Sequence, residues 1–224
     1  MEKIHILLIS LTLTIFGILV IVSVFSPELF NETTITGHDV NTRVNVLPIS
    51  SSDCNFSLSP GWNLVSFYCI GMFEPVDDTL SSIRDNYQSI FMYNAMDAND
   101  PWKSYNPSLP DWAVQQLQYL DRMSGYWIYM TGSSDFNFNG SKKYTVIPLR
   151  PGWNLVGYPN IHTQNINDSL NGVLFTVLKT YDTPSATYLV YINGSASNTL
   201  HTTDTYKGYW LNSTAFQNWN LNAS

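Results

Sequence analysis

Leu58-Ser59-Pro60-Gly61-Trp62-Asn63-Leu64-Val65 decides the fold, because the chain says it again as Leu149-Arg150-Pro151-Gly152-Trp153-Asn154-Leu155-Val156. A second echo follows each copy in the same order, Gly125-Tyr126-Trp127 and then Gly208-Tyr209-Trp210. Anchors repeated in order and spacing mark duplicated structural units. Function is therefore sought in what the copies share and in where they differ.

Outward from the first anchor, Pro60 and Gly61 stand at the central positions of a four-residue turn, the arrangement that favours type II. Phe56 and Leu58 alternate with polar residues before it, and Trp62 to Tyr68 is rich in aromatic and branched residues after it, so strands are expected on both sides. A hairpin here would bring Cys54 near Cys69. Next, Val76, Leu80, Ile83 and Tyr87 recur at helical spacing behind Asp77 and Asp78 as candidate N-caps. The second copy matches with Ile166, Leu170 and Val173 behind Asn167 and Asp168. Strands are then expected over Ser89 to Tyr93, Trp102 to Tyr105, Gly125 to Tyr129 and Phe136 to Phe138, with counterparts from Val177, Tyr188, Gly208 and Trp219. The fold class is mainly β (α+β): two tandem, homologous antiparallel β modules, each with a short helix, over residues 53–142 and 143–224. Each is near the lower size limit for a self-sufficient core, so the two are expected to pack on each other.

The copies disagree between Tyr105 and Leu117. The first has Asn106-Pro107-Ser108-Leu109-Pro110-Asp111-Trp112-Ala113-Val114-Gln115-Gln116, where Asp111 reads as an N-cap and Val114, Leu117 and Leu120 as one helical face. The second has the loop-like Gly194-Ser195-Ala196-Ser197-Asn198. If the first module has a private surface, it is this segment.

Ahead of both modules, Ile6 to Phe25 is an apolar run without a charge, long enough to cross a bilayer core of about 30 Å. It reads as an N-terminal transmembrane helix within residues 1–26, or else as a signal sequence. The run exceeds the usual apolar core of a cleavable signal, and bulky Phe25 stands where such a signal ends in a small residue. Residues 27–52 are then a linker or leading strand. Lys3 before the run and Glu28, Glu32 and Asp39 after it favour a cell-membrane, single-pass protein with an extracellular ectodomain; the alternative is secretion after cleavage. The sequons at Asn31, Asn55, Asn139, Asn167, Asn193, Asn212 and Asn222 are glycan acceptors if the chain is exported.

In an exported chain two cysteines are most simply a disulfide. At the places matching Cys54 and Cys69 the second copy has Thr145 and Asn160, so both partners are absent together, as a bonded pair requires. Two unpaired, buried thiols are the alternative. A net charge of -7 and no basic run argue against nucleic acid as a partner.

Trp62, Trp127, Trp153 and Trp210 occupy paired positions and read as the repeat core, as do Trp102/Tyr188 and Phe136/Trp219. Trp112 has no counterpart and is expected to be exposed; with Tyr119 it is the candidate ligand contact for a sugar face. Asp97-Ala98-Asn99-Asp100 opens as some calcium loops do, but lacks their glycine and distal glutamate and reads as a hairpin turn. His5, His38, His162 and His201 are scattered, and no catalytic, metal or phosphate motif is present, so neither an enzyme nor a cofactor is expected.

With its Pro-Gly-Trp-Asn-Leu-Val and Gly-Tyr-Trp anchors, the chain resembles a tandem repeat module of exported and cell-surface archaeal and bacterial proteins. That module runs from a Gly-Trp-Asn-Leu-Val strand through Trp-x-x-Tyr to Gly-Tyr-Trp-Ile. Trp102-Lys103-Ser104-Tyr105 and Gly125-Tyr126-Trp127-Ile128 follow the pattern; Tyr188 and Leu211 depart from it, and the second copy is shorter in the middle. The resemblance implies an extracellular accessory module and assigns no catalytic residues. The function expected is that of a membrane-anchored surface protein with a structural, adhesive or display role, its partners being the membrane through residues 6–25 and glycans or other envelope proteins. The alternatives are a carbohydrate-binding module and a pilin-like filament subunit, the latter opposed by the absent processing site and by Pro27 after the apolar run.

Overall fold

Gly61 and Gly152 adopt φ of +90° and +95°, conformations open to glycine, so the Pro-Gly turn forms in both copies. The following Asn locks it: the Asn63 Nδ2 donates to the carbonyls of Ser59 and Gly61, and its Oδ1 accepts from the Ser59 N–H. Asn154 repeats all three bonds with Arg150 and Gly152. Buried Asn in the motif is thus a turn clasp.

The structure is a computed structural model, describing residues 11–15, 18–22, 33–37, 40–44, 51–110, 112–141 and 144–221. It divides into Met1–Ser50 and Ser51–Ser224. In the first unit β1 (Leu11–Ile15) pairs antiparallel with β2 (Ile18–Val22), and β3 (Thr33–Gly37) with β4 (Val40–Val44). The membrane helix expected over Ile6 to Phe25 falls partly on these strands and otherwise outside the described residues. Among the described residues no helix is long and apolar enough to cross a membrane.

The second unit is mainly β. In its first copy β5 (Ser51–Leu58), β6 (Gly61–Val65), β7 (Glu74–Pro75), α1 (Val76–Thr79), a 3-10 turn (Ser81–Asn86), β8 (Tyr87–Tyr93), β9 (Trp102–Tyr105), β10 (Tyr119–Leu120), β11 (Tyr126–Met130) and β12 (Ser134–Ser141) follow in order. The second copy runs β13 (Thr145–Leu149), β14 (Gly152–Val156), β15 (Gln164–Asn165), α2 (Ile166–Ser169), β16 (Phe175–Asp182), β17 (Thr187–Ile192), β18 (Thr202–Thr203), β19 (Tyr209–Ser213) and β20 (Gln217–Leu221). Each copy has a four-stranded antiparallel sheet, β6-β11-β8-β9 and β14-β19-β16-β17, a ribbon, β5/β12 and β13/β20, and a small pair, β7/β10 and β15/β18. One core fills each copy, around Phe67, Tyr126 and Phe136 in the first and Tyr158, Tyr209 and Trp219 in the second.

Several expectations are corrected. β5 and β6 do not pair; they belong to different sheets, and the Pro-Gly turn carries the chain between them. Cys54 and Cys69 still meet in a disulfide, closing the ribbon onto the segment after β6 with Cα atoms 5.9 Å apart. Asp77 and Asp78 are not caps: α1 starts after Pro75 with no side-chain cap, so they lie in its first turn, as Asn167 and Asp168 do in α2. No helix covers the described residues between Tyr105 and Leu117: the Leu117 N–H donates to the Ser104 carbonyl of β9 instead of to a preceding turn, and Val114 is 88% exposed. Leu117 and Leu120 are buried, and Asp111 lies outside the described residues.

The copies pack about a pseudo-two-fold axis. The N–H of Ser66 donates to the Tyr206 carbonyl and that of Gly157 to the Met123 carbonyl, both at 2.7 Å. Gly208 donates to Leu64 at 3.2 Å and Gly125 to Leu155 at 3.3 Å. Each bond is its partner with the copies exchanged. The glycine of Gly-Tyr-Trp is required here: a Cβ on Gly125 would lie 2.8 Å from the Val156 carbonyl, and one on Gly208 2.6 Å from that of Val65. Side chains are exchanged too, Tyr206 stacking at 4.5 Å on Phe56 of the first core and Met123 packing on the second.

Candidate ligand-binding site

Strand alternation sends every second residue of β11 to each face of its sheet. Tyr126, Ile128 and Met130 enter the core, which leaves Trp127 and Tyr129 on the opposite face. Register then fixes their company: Tyr129 stands opposite Trp62 on β6, Trp127 opposite Phe91 on β8, and Tyr93 opposite Trp102 on β9. The second copy does the same with Trp153, Tyr181, Tyr188 and Trp210. Each sheet therefore has a buried face and an aromatic one.

The aromatic faces meet at the pseudo-axis. Trp127 contacts Tyr181 at 5.1 Å and Tyr188 at 6.3 Å between ring centroids; in return Trp210 contacts Tyr93 at 5.2 Å and Trp102 at 5.9 Å. Hairpin tips tie the copies further, Thr183 donating to the Trp62 carbonyl at 2.9 Å. Between the rings runs a groove of about 320 Å³ lined by Trp62, Phe91, Trp102, Trp127 and Tyr181. Trp62 and Trp102 are 41% and 43% exposed. Ring faces at this surface offer apolar stacking while indole N–H and phenol O–H groups at their edges remain able to hydrogen-bond.

Reading Trp62, Trp127, Trp153 and Trp210 as core is thus corrected, and Trp102 and Tyr188 with them: Trp62, Trp153, Trp102 and Tyr188 are exposed, and Trp127 and Trp210 half-buried. Of the paired aromatics read as core, Phe136 and Trp219 do lie there. Trp112 is 85% exposed and Tyr119 51%, yet neither lines the groove. The sequence held one overlooked signal. Tyr126-Trp127-Ile128-Tyr129-Met130 is apolar at every position, so both faces of its strand needed an apolar neighbour or a ligand.

A second, polar cleft of about 820 Å³ belongs to the first copy alone, with Asp77, Arg84, Tyr105, Leu109 and Gln115 among its walls. The Tyr105 hydroxyl donates to the Asp77 carboxylate, and Arg84 lies 3.9 Å from the same group. Burial, then this hydrogen bond, push the Tyr105 phenol up to about 12, and burial raises Tyr87 as well. Both stay protonated near neutrality. In the Asp97–Asp100 turn the Asp97 carboxylate accepts the N–H groups of Asn99 and Asp100, and Lys103 reaches Asp97 and Asp100 at 3.0 and 2.9 Å. Hydrogen bonding by Lys103 holds Asp97 below the usual carboxylate range.

Sequons Asn55, Asn139, Asn167 and Asn193 are exposed, and Asn212 is half-buried beside the aromatic face. Asn31, Asn222, His5 and His38 lie outside the described residues; His162 and His201 are exposed. No family model, curated protein or solved structure matches this chain.

Proposed function

We propose that this is a surface-displayed adhesive module, attached to the membrane through residues 6–25, whose aromatic face binds glycans and carries no catalysis. The observation that supports it is the groove among Trp62, Phe91, Trp102, Trp127 and Tyr181, open to solvent across two fused modules. Large exposed aromatic patches mark interaction sites, because burying rings elsewhere would have been favourable. Sugar rings present C–H faces that stack on aromatic faces, and their hydroxyls suit a wet site rimmed by indole and phenol groups. Stacked bases would fit as well, but a chain of net charge -7 repels a phosphate backbone. The site differs from the expected one at Trp112 and Tyr119, which present isolated rings.

Glycan-array screening of the full-length chain in detergent, followed by calorimetry, tests the reading. Trp62→Ala and Trp102→Ala should each weaken glycan binding about tenfold, the value of one good stacking contact, with circular dichroism unchanged. No glycan binding at millimolar concentration, with self-association that either substitution abolishes, would make the face a protein interface instead.

A further inference from the structure

The pseudo-axis supplies an internal comparison, since the two halves of the aromatic face can be matched position by position. Trp62, Tyr93, Trp102 and Trp127 answer Trp153, Tyr181, Tyr188 and Trp210. Among the positions that carry an aromatic ring in the first copy, two lose it in the second. Asn212 stands where the first copy has Tyr129, and Lys179 stands where it has Phe91, each of the latter opposite the Trp of Gly-Tyr-Trp.

The Lys179 ammonium lies 4.7 Å from the ring centroids of both Trp153 and Tyr188. Those rings attract a cation by their quadrupoles but accept none of its protons in a full hydrogen bond. Among the described residues its Nζ makes no hydrogen bond and no ion pair, whereas Lys103 is held by two carboxylates. In a chain with seventeen acidic and ten basic residues, a half-buried lysine whose ammonium meets two ring faces and no carboxylate leaves its charge open to an anionic ligand.

We infer that the half of the face formed by Trp153, Lys179 and Tyr188 is a subsite for an acidic sugar, its carboxylate or sulfate accepting from Lys179 while the ring stacks on Trp153. This rests on the glycan-binding reading. The half around Trp62 and Phe91 takes a neutral unit, so the ligand is an acidic or mixed polysaccharide whose chain crosses the pseudo-axis. A charge-assisted hydrogen bond is among the stronger contacts available at a partly wet site, and Asn212 adds a neutral donor and acceptor beside it.

The test uses matched probes on the full-length chain in detergent: oligogalacturonides against their methyl esters for the carboxylate, and dextran sulfate against dextran for the sulfate. The charged member of at least one pair should bind about tenfold more tightly than its neutral counterpart, with the gap narrowing as salt is raised. Lys179→Phe, which installs the residue of the first copy, should abolish that preference, and Lys179→Arg should keep it. Lys179→Gln gives the same answer if the Phe variant misfolds. Equal binding within both pairs, or a preference that survives Lys179→Phe and Lys179→Gln, overturns the acidic subsite alone. If no member of either pair binds and Trp62→Ala alters no glycan contact, the aromatic-face reading falls with it.

Discussion

Gly61 and Gly125 are both fixed glycines of the repeat anchors, for opposite reasons. At Gly61 the backbone has φ of +90° and a Cβ would meet nothing within 4 Å, so the demand is conformational. At Gly125 it is spatial, because a Cβ would lie 2.8 Å from the Val156 carbonyl and 3.0 Å from the Leu155 side chain in the other copy. Gly61→Ala should therefore cost about 1 kcal/mol, the strain of a left-handed Ala, and leave the contact between copies untouched. Gly125→Ala should cost more, about 1–3 kcal/mol, because backbone must move to admit the methyl group. Urea unfolding of the two variants checks the order. Hydrogen exchange should locate the second loss at the Gly125 and Gly157 amides that bond across the axis. Equal costs, or protection unchanged there, would refute this division of roles.

The loop between β10 and β11 shows how an element is held by one acid. The half-buried Asp121 carboxylate accepts the N–H groups of Met123 and Ser124 and the Ser124 hydroxyl, and the N–H of Asp121 donates to the Tyr126 hydroxyl at 2.8 Å. Asp204 repeats the bond to Tyr209, at 2.6 Å. Burial raises the Asp121 pKa, outweighing the hydrogen bonds of Ser124 and Met123 and the charge of Arg122, which lower it. A raised acid binds its proton more tightly in the folded chain than in the unfolded one, so its contribution is full below about pH 4 and declines as pH rises through the folded value. Asp121→Asn removes this titration. Wild-type stability should fall relative to the variant as pH rises above about 4 when urea midpoints are compared; parallel profiles would sink the assignment. Elements of this kind were partly legible. Strand positions, the Pro-Gly turn and the Cys54–Cys69 bond could be read because turn residues and duplication fix them locally. The pairing of β5 with β12 was not, since partner choice depends on where the chain returns. The aromatic site was misread for a related reason: paired Trp residues show that a position matters to both copies, while only the register shows which face of the strand it occupies.

At the scale of the whole molecule the question is why two small modules stay paired in this one way. Leu64 and Leu155 lie on the aromatic side of their sheets and outside both cores, yet are 1% and 4% exposed. Each sits against the glycine of the opposite Gly-Tyr-Trp. Either module alone would expose that leucine and its aromatic face, so neither has a complete surface without its counterpart. The axis itself breaks the symmetry. A Cβ on Gly157 would lie 3.1 Å from the Ser66 Cβ, 2.7 Å from the Arg122 carbonyl and 2.9 Å from the Ser124 carbonyl, whereas Ser66 fits and donates to the Lys207 carbonyl at 2.9 Å. Two serines would collide here, and two glycines would lose that hydrogen bond as well as the one from the Tyr158 N–H to the Ser66 hydroxyl. A Ser facing a Gly is the combination that fits, and it favours the mixed pair over either homodimer. Residues 51–142 and 144–224, produced as separate chains and mixed, should accordingly form a one-to-one complex by native mass spectrometry and sedimentation. Gly157→Ser should dissociate it, because the new side chain meets two carbonyls and Ser66 at once, and Ser66→Gly should restore part of the affinity by reopening the axis. Homodimers that compete equally with the mixed pair would show that Ser66 and Gly157 do not set the choice.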